Sequence, residues 1–358
     1  MLTMGTDIVA LCQEMVAIPS VSHDEEKLAS FVANHLSQFP GLGISRIGNN
    51  VVAKSAFDRP SRVIIAGHLD TVPSDGNLEP RVEDGRIYGL GSADMKSGLA
   101  VMLGLAEVAG SFSVDITFIF YACEEVATSF SGLLEIERAN PDIFRGDAAV
   151  LMEPTSSRIE AGCQGTMRVE IVIKGRRAHT ARPWVGMNAI HRAAGFISRV
   201  AEVDLGVSVI DSLQYRESLQ VVKVYGGVAN NVVPDLATIV INYRFAPNKT
   251  VEEAFGFLKA LIEDLLDQDS GDAVILEEGV PGALPNLSDP FILRLCEVST
   301  AAPGAKLGWT DVAFFTARGI SATNFGPGDP LVAHTKNEFV EVSEIESAFT
   351  AMRNALSL

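Results

Sequence analysis

Cysteine is scarce in this 358-residue chain. The four residues, Cys12, Cys123, Cys163 and Cys296, are scattered and form no Cys-x-x-Cys pair. Cys12 and Cys123 stand in apolar surroundings, so buried free thiols are expected rather than a disulfide framework. Basic residues are also few: 28 Lys and Arg against 45 Asp and Glu, for a net charge of −17. That balance argues against nucleic acid and anionic membrane surfaces as partners. No apolar run approaches the roughly 18 residues that a membrane-spanning helix needs. No basic residue precedes Lys27, which is unlike a secretory leader, and the chain reads as cytoplasmic. There is no internal repeat and no low-complexity tract.

What is present is enough apolar material, 47% of residues, to bury a full core, and the length suits two domains. "TDIVALCQEMVAI" (6–18) has helical spacing after a Thr or Asp cap. "RVIIAGHLD" (62–70) is a strand running into polar residues, and "DMKSGLAVMLGLAEVAG" (94–110) reads as a buried helix. "ITFIFYACEEV" (116–126) is a buried strand ending in two carboxylates. "SGLLEIERAN" (131–140) is a helix, and "DAAVLMEP" (147–154) is a strand that ends in another carboxylate. Strands alternating with helices predict an α/β fold with a mainly parallel sheet and helices on both faces. Such folds place their chemistry beyond the carboxyl ends of the strands.

The middle of the chain reads differently. Strands at 166–175, 218–227, 236–247 and 272–279 and helices at 186–203 and 250–268 run in the order βαββαβ, a ferredoxin-like unit. Residues 166–285 are therefore expected to form a domain inserted into a first domain built from 1–165 and 286–358.

His68, Asp70, Glu124, Glu125 and Glu153 fall at strand ends. Asp94 lies in the glycine-rich "GLGSADMKSG", and His334 in the loop "GPGDPLVAHTKNE". Taken singly, each has a plain explanation: a core histidine, a helix cap, a loop charge. Gathered on one sheet edge, so many carboxylates could not all ionise without cations among them. A mixed His/Asp/Glu set suits Zn²⁺, Co²⁺ or Mn²⁺ better than Ca²⁺. Asp70, two residues beyond His68 in extended chain, is expected to accept the imidazole's other N–H through its carboxylate. Of Glu124 and Glu125, one can ligate metal while the other serves as general base; spacing does not say which.

"GHLDTVP", "GLGSADMKSG", "ACEEV", "LMEPT" and "GPGDPLVAHTKNE", in that order, resemble the co-catalytic zinc amidohydrolase and peptidase family. That family includes glutamate carboxypeptidases, aminoacylases, acetylornithine deacetylases and succinyl-diaminopimelate desuccinylases. The resemblance spans nearly the whole chain and implies two divalent metal ions, zinc first, with cobalt or manganese as alternatives. It makes His68, Asp94 and Glu153 ligands of one metal, and Asp94, Glu125 and His334 ligands of the other. Glu124 becomes the general base and Asp70 the partner of His68. It also implies that the inserted domain is a lid and homodimer interface. From "GRRAHTARPWVG" it takes His179, which stabilises the oxyanion in the partner subunit's site. Asn230, Asn231, Arg244 and Thr310 become contacts to a small N-acyl amino-acid substrate. The Asn-Asn pair, Arg244, "WTD" and "NFGPG" most resemble the desuccinylase subfamily, which implies N-succinyl-LL-2,6-diaminopimelate as substrate. One departure stands out: Cys163 and Gln164 occupy the place where many such enzymes carry two arginines.

Overall fold

The computed structural model describes residues 6–357. Two compact units emerge. One contains the chain up to Ala161, Pro285–Gly304 and the chain from Phe314 on; the other contains Gly162–Leu284 and Ala305–Ala313.

The first unit is built on a sheet in which seven strands lie side by side in the order Leu42–Ile47, Asn50–Ser55, Asp115–Tyr121, Arg62–His68, Ala148–Leu151, Ser321–Asn324 and Glu160–Ala161, and an eighth short strand, Gly304–Ala305, follows. The four from Asp115–Tyr121 to Ser321–Asn324 are parallel to one another, and antiparallel strands flank them on both sides. The continuous apolar runs seen in the sequence are the central strands: every residue of Asp115–Tyr121 and of Ala148–Leu151 is buried, as expected for strands covered on two faces. The register His68↔Tyr121 and Ala66↔Leu151 brings three strand ends level. From those ends issue Asp70, Glu124, Glu125 and Glu153.

The helix expected from residue 94 begins later, at Ser97, and runs to Glu107. Residues Ser92–Lys96 form an irregular turn with extended geometry at Asp94 (φ −119°, ψ 95°). Gly98 lets the helix press on the strand end that carries Glu153, because a Cβ at Gly98 would collide with the Met152 carbonyl oxygen. The first helix spans Ile8–Val16, capped by Asp7, whose carboxylate accepts from the Val9 and Ala10 N–H groups. A three-stranded sheet absent from the sequence reading joins Arg81–Glu83, Arg86–Tyr88 and Phe339–Glu341.

The second unit has four antiparallel strands in the order Ser218–Gly226, Leu236–Phe245, Gly165–Lys174, Ala273–Val280. Helices Ala189–Glu202 and Val251–Ile262 contribute Phe196, Leu258 and Ile262 to a core shared with Val169, Ile171, Ile239 and Ile241. Thr250 and Glu253 form a reciprocal capping box at the second helix, the arrangement that satisfies two orphan N–H groups at once. A hairpin, Val207–Ile210 with Leu213–Arg216, is added to the βαββαβ order.

Candidate active site

His68 is the last residue of its strand and is buried. Its Nδ1 lies 2.9 Å from the Asp70 backbone carbonyl oxygen and its Nε2 lies 3.0 Å from Asp94 Oδ1. The expected bond to the Asp70 carboxylate is not the one formed: Asp70 Oδ1 is 3.7 Å away. The strand ends at His68, so the same-side rule for residues two apart lapses. The Asp70 carboxylate is engaged elsewhere. Its Oδ1 accepts the Glu124 N–H at 2.9 Å, and its Oδ2 accepts the Glu125 N–H at 3.0 Å and the Ser22 hydroxyl at 2.8 Å. Asp70 thus holds the histidine by its backbone and the Glu124–Glu125 turn by its side chain.

That turn starts at Cys123, which adopts a left-handed φ of 60°. The Cys123 thiol donates to Glu25 Oε1 at 3.3 Å and lies 3.4 Å from His23 Nδ1. Burial and the Glu25 carboxylate push the thiol up to about 12, so it is no nucleophile at neutral pH. Beyond the turn, Glu125 Oε1 is 2.6 Å from His334 Nε2, and the same nitrogen is 3.4 Å from Asp94 Oδ2.

Asp94 therefore turns one oxygen to each of two imidazoles. Three groups gather their ligand atoms within 4.8 Å: His68 with Asp94 and Glu153, Asp94 with Glu125 and His334, and His68 with Glu124 and Glu125. Two nitrogen or oxygen atoms bound to one zinc at ~2.0–2.1 Å in tetrahedral array lie roughly 3.3–3.4 Å apart. The His68–Asp94 and His334–Asp94 separations have that size, so the donor set fits two ions that share the Asp94 carboxylate. Charge tells the same story. Burial disfavours the His68 imidazolium, but Asp94, Glu153 and Glu124 outweigh it and raise its pKa well above the usual value. Hydrogen bonds to Asp94 and Glu125 raise His334 to about 10. Burial opposes ionisation of Asp94, yet the two imidazoles hold it well below the usual carboxylate range. Protons on the histidines supply the positive charge that such a cluster demands, and divalent ions would displace them.

Residues 64–357 match the model of Peptidase family M20/M25/M40. The chain belongs to this family. It is 44% identical over 357 residues to the succinyl-diaminopimelate desuccinylase of Corynebacterium glutamicum, with 98% of this chain and 96% of that one covered. It is 27% identical over 354 residues to the acetylornithine deacetylase of Myxococcus xanthus, covering 95% and 92%. Among solved structures it is similar to the Bacillus subtilis YXEP protein, described as a dinuclear metal binding peptidase of the M20 family. That match has a TM-score of 0.72 and 16% identity over 98% of this chain and 96% of the other, a likeness of fold.

The remaining site candidates of this family member stand in the second unit. His179 is exposed, its Nδ1 accepts the Ala181 N–H at 3.0 Å, and Nε2 is thereby left as the donor. The Thr180 N–H donates to the Asn231 carbonyl oxygen at 3.1 Å, so the His179 and Asn230–Asn231 loops are neighbours. Asn230 and Asn231 are exposed. Arg244 is half-buried on its strand, and burial lowers its pKa. Thr310 is buried and its carbonyl oxygen faces the Cys163 thiol at 3.6 Å. Cys163 is fully buried and raised to about 11 by burial. Gln164 is buried too, and its amide donates to the Arg216 carbonyl oxygen at 2.9 Å. Where an arginine pair would offer cations, this chain offers two neutral, inward-facing side chains. Sequence reasoning passed over Ser22, Glu25 and Glu338. Glu338 lay in a quoted motif without a role, while Ser22 and Glu25 sit in a segment with no pattern to single them out.

Proposed function

We propose that this protein is a metal-dependent amidohydrolase that cleaves N-succinyl-LL-2,6-diaminopimelate to succinate and LL-2,6-diaminopimelate, a step of lysine biosynthesis. The observation that carries the chemistry is the Asp94 carboxylate presented to two imidazoles, one at a strand end and one in a loop. The 44% identity to a desuccinylase over nearly the full length supports the substrate. His68, Asp94 and Glu153 would hold one ion and Asp94, Glu125 and His334 the other. Zinc is the first candidate, with cobalt or manganese as alternatives. When bound, the ions supply Lewis acidity to the amide carbonyl and to the attacking water.

Within that frame Glu124 takes the proton of the attacking water and delivers it to the leaving amine. Asp70 keeps Glu124 in place through the backbone N–H bond. His179 of a second copy donates from Nε2 to the oxyanion, an interaction worth about 3–4 kcal/mol in comparable sites. Arg244 faces a substrate carboxylate, with Asn230, Asn231 and Thr310 orienting the amide. With Cys163 and Gln164 neutral, Arg244 carries more of the anion recognition than an arginine pair would leave to it. A homodimer through the inserted unit is supported by its edge strand Ser218–Gly226, which leaves Val222, Val224 and Tyr225 about half exposed.

The test is steady-state hydrolysis of N-succinyl-LL-diaminopimelate by the metal-loaded enzyme, with N-acetylornithine in parallel. A kcat/KM strongly favouring the succinyl substrate is expected. The deacetylase reading, to which the missing arginine pair lends weight, predicts the reverse preference. Glu124→Gln should lower kcat by roughly 10²–10⁴-fold while metal content stays at the wild-type value; retained turnover would remove Glu124 from its role.

A further inference from the structure

In the turn that brings Asp94 to the site, the Ser92 and Lys96 N–H groups find the Gly89 and Gly91 carbonyl oxygens at 3.1 and 2.8 Å, but those of Gly91, Ala93 and Asp94 point to a residue far along the chain. Gly91 is left-handed at φ 78°, and Asp94 and Met95 leave helical geometry. Backbone N–H groups in a buried stretch of this kind need acceptors from elsewhere. Glu338 provides them. Its Oε1 accepts the N–H groups of Ala93 and Asp94, each at 3.0 Å, and its Oε2 accepts that of Gly91 at 3.1 Å. Its own carbonyl oxygen takes the Gly89 N–H at 3.2 Å. Glu338 as a whole is 1% exposed. Four residues at the root of the Asp94 turn are thus tied to one side chain and its backbone.

Glu338 is itself held firmly. The next residue, Phe339, begins a strand paired antiparallel with Arg86–Tyr88, with Phe339 opposite Tyr88. Four residues earlier in the same loop stands His334, whose Nε2 reaches Asp94 Oδ2 at 3.4 Å. One loop therefore grips Asp94 twice, at its backbone through Glu338 and at its carboxylate through His334.

We propose that Glu338 is a positioning residue for the metal pair. By holding the Ala93 and Asp94 N–H groups on one oxygen, it fixes the orientation in which the two Asp94 oxygens face separate imidazoles. The proposal rests on the reading of Asp94 as the shared ligand. A carboxylate is required because three N–H donors converge on it. Glutamine would keep the volume but turn its own N–H₂ toward a donor, and aspartate would keep the charge but fall short by one methylene.

The experiment compares Glu338→Gln and Glu338→Asp with Asp94→Asn and with Asp115→Asn. Asp115 is a buried carboxylate that also accepts loop N–H groups, but it lies at the opposite end of its strand. Each full-length chain is stripped of metal, and three quantities are read: zinc affinity by chelator competition, zinc stoichiometry after dialysis, and the melting temperature without metal. For Glu338→Gln, zinc affinity at least tenfold weaker than wild type and a stoichiometry below two are expected, with an unchanged circular dichroism spectrum. Glu338→Asp should fall between, and Asp115→Asn should melt lower while binding zinc as wild type does. At saturating zinc, Glu338→Gln should lower kcat with little change in KM. If Glu338→Gln lowers the melting temperature but binds two zinc ions with wild-type affinity, Glu338 is structural and the proposal fails. If Asp94→Asn also binds as wild type does, the metal-site reading itself has failed, a result separable from the first. Should Glu338→Gln not fold, the zinc affinity of Glu338→Asp decides: wild-type affinity overturns the proposal, and weakened affinity supports it.

Discussion

Asp115 shows how much one buried carboxylate can organise. It accepts the Ser55 hydroxyl at 2.6 Å, the Phe57 N–H at 2.9 Å and the Arg59 N–H at 3.1 Å, with the Arg62 guanidinium 3.5 Å away. Burial pushes its pKa up, but these donors and the Arg62 charge outweigh it and leave the pKa lowered. A carboxylate lowered in the folded state stabilises the protein above its unfolded pKa, near 3.9, and loses that contribution as pH falls through the folded pKa. Asp115→Asn should therefore cost about 2–3 kcal/mol at pH 7, since it strands donors that were satisfied. The gap between variant and wild type in urea melts should narrow at pH 3; a gap independent of pH would contradict this account. Single residues were unevenly legible. The strand-end carboxylates announced themselves because ionised groups closing apolar strands need a reason. The hydrogen bonds of the Asp70 carboxylate were not legible because its partners, Ser22 and the Glu124–Glu125 backbone, lie far away in sequence or belong to the main chain. Neither leaves a mark in local spacing.

Elements were easier to read where one period dominates, and harder where backbone geometry is special. The buried strands carrying His68 and Glu153 stood out as apolar runs, and both helices of the inserted unit stood out by amphipathic spacing. The Asp94 turn did not, since "ADMKSG" continues a helical pattern in composition while its backbone leaves the helix. The hairpin Val207–Ile210 with Leu213–Arg216 is short and half-exposed, so its alternation is too weak to notice. Two glycines in helices make the packing logic testable. At Gly98 a Cβ would meet the Met152 carbonyl oxygen, whereas at Gly256, in Val251–Ile262, nothing lies within 4 Å. Gly98→Ala should destabilise by about 1–3 kcal/mol, because helix and strand end must move apart. Gly256→Ala should stabilise by roughly 0.5–1 kcal/mol through helix propensity alone. Thermal melts of the two variants check both signs, and equal effects would mean that close approach at Gly98 is unimportant.

At the scale of the molecule, the residues proposed to carry the chemistry fall in two units that the chain visits alternately. The proposed metal ligands and Glu124 belong to the first, and His179, Asn230, Asn231, Arg244 and Thr310 belong to the second. The insertion was legible as a change from parallel-sheet patterning to βαββαβ. The return of Ala305–Ala313 to the second unit was not, because nine residues without periodicity carry no address. If His179 acts in the site of a second copy, no single chain holds a complete site, and two differently disabled chains can repair each other. Glu124→Gln lacks the base but retains its His179; His179→Ala lacks the oxyanion donor but retains its Glu124. In a hybrid dimer one site receives Glu124 from the second variant and His179 from the first, while the other site lacks both. Random exchange makes about half the dimers hybrids with one competent site of two, so the mixture should regain about a quarter of wild-type activity. Each variant alone should remain far below that. Activity of the mixture is measured after subunit exchange, alongside its mass in solution. A dimeric mixture with no recovery would place His179 in its own chain's site, and a monomer would remove the shared site altogether.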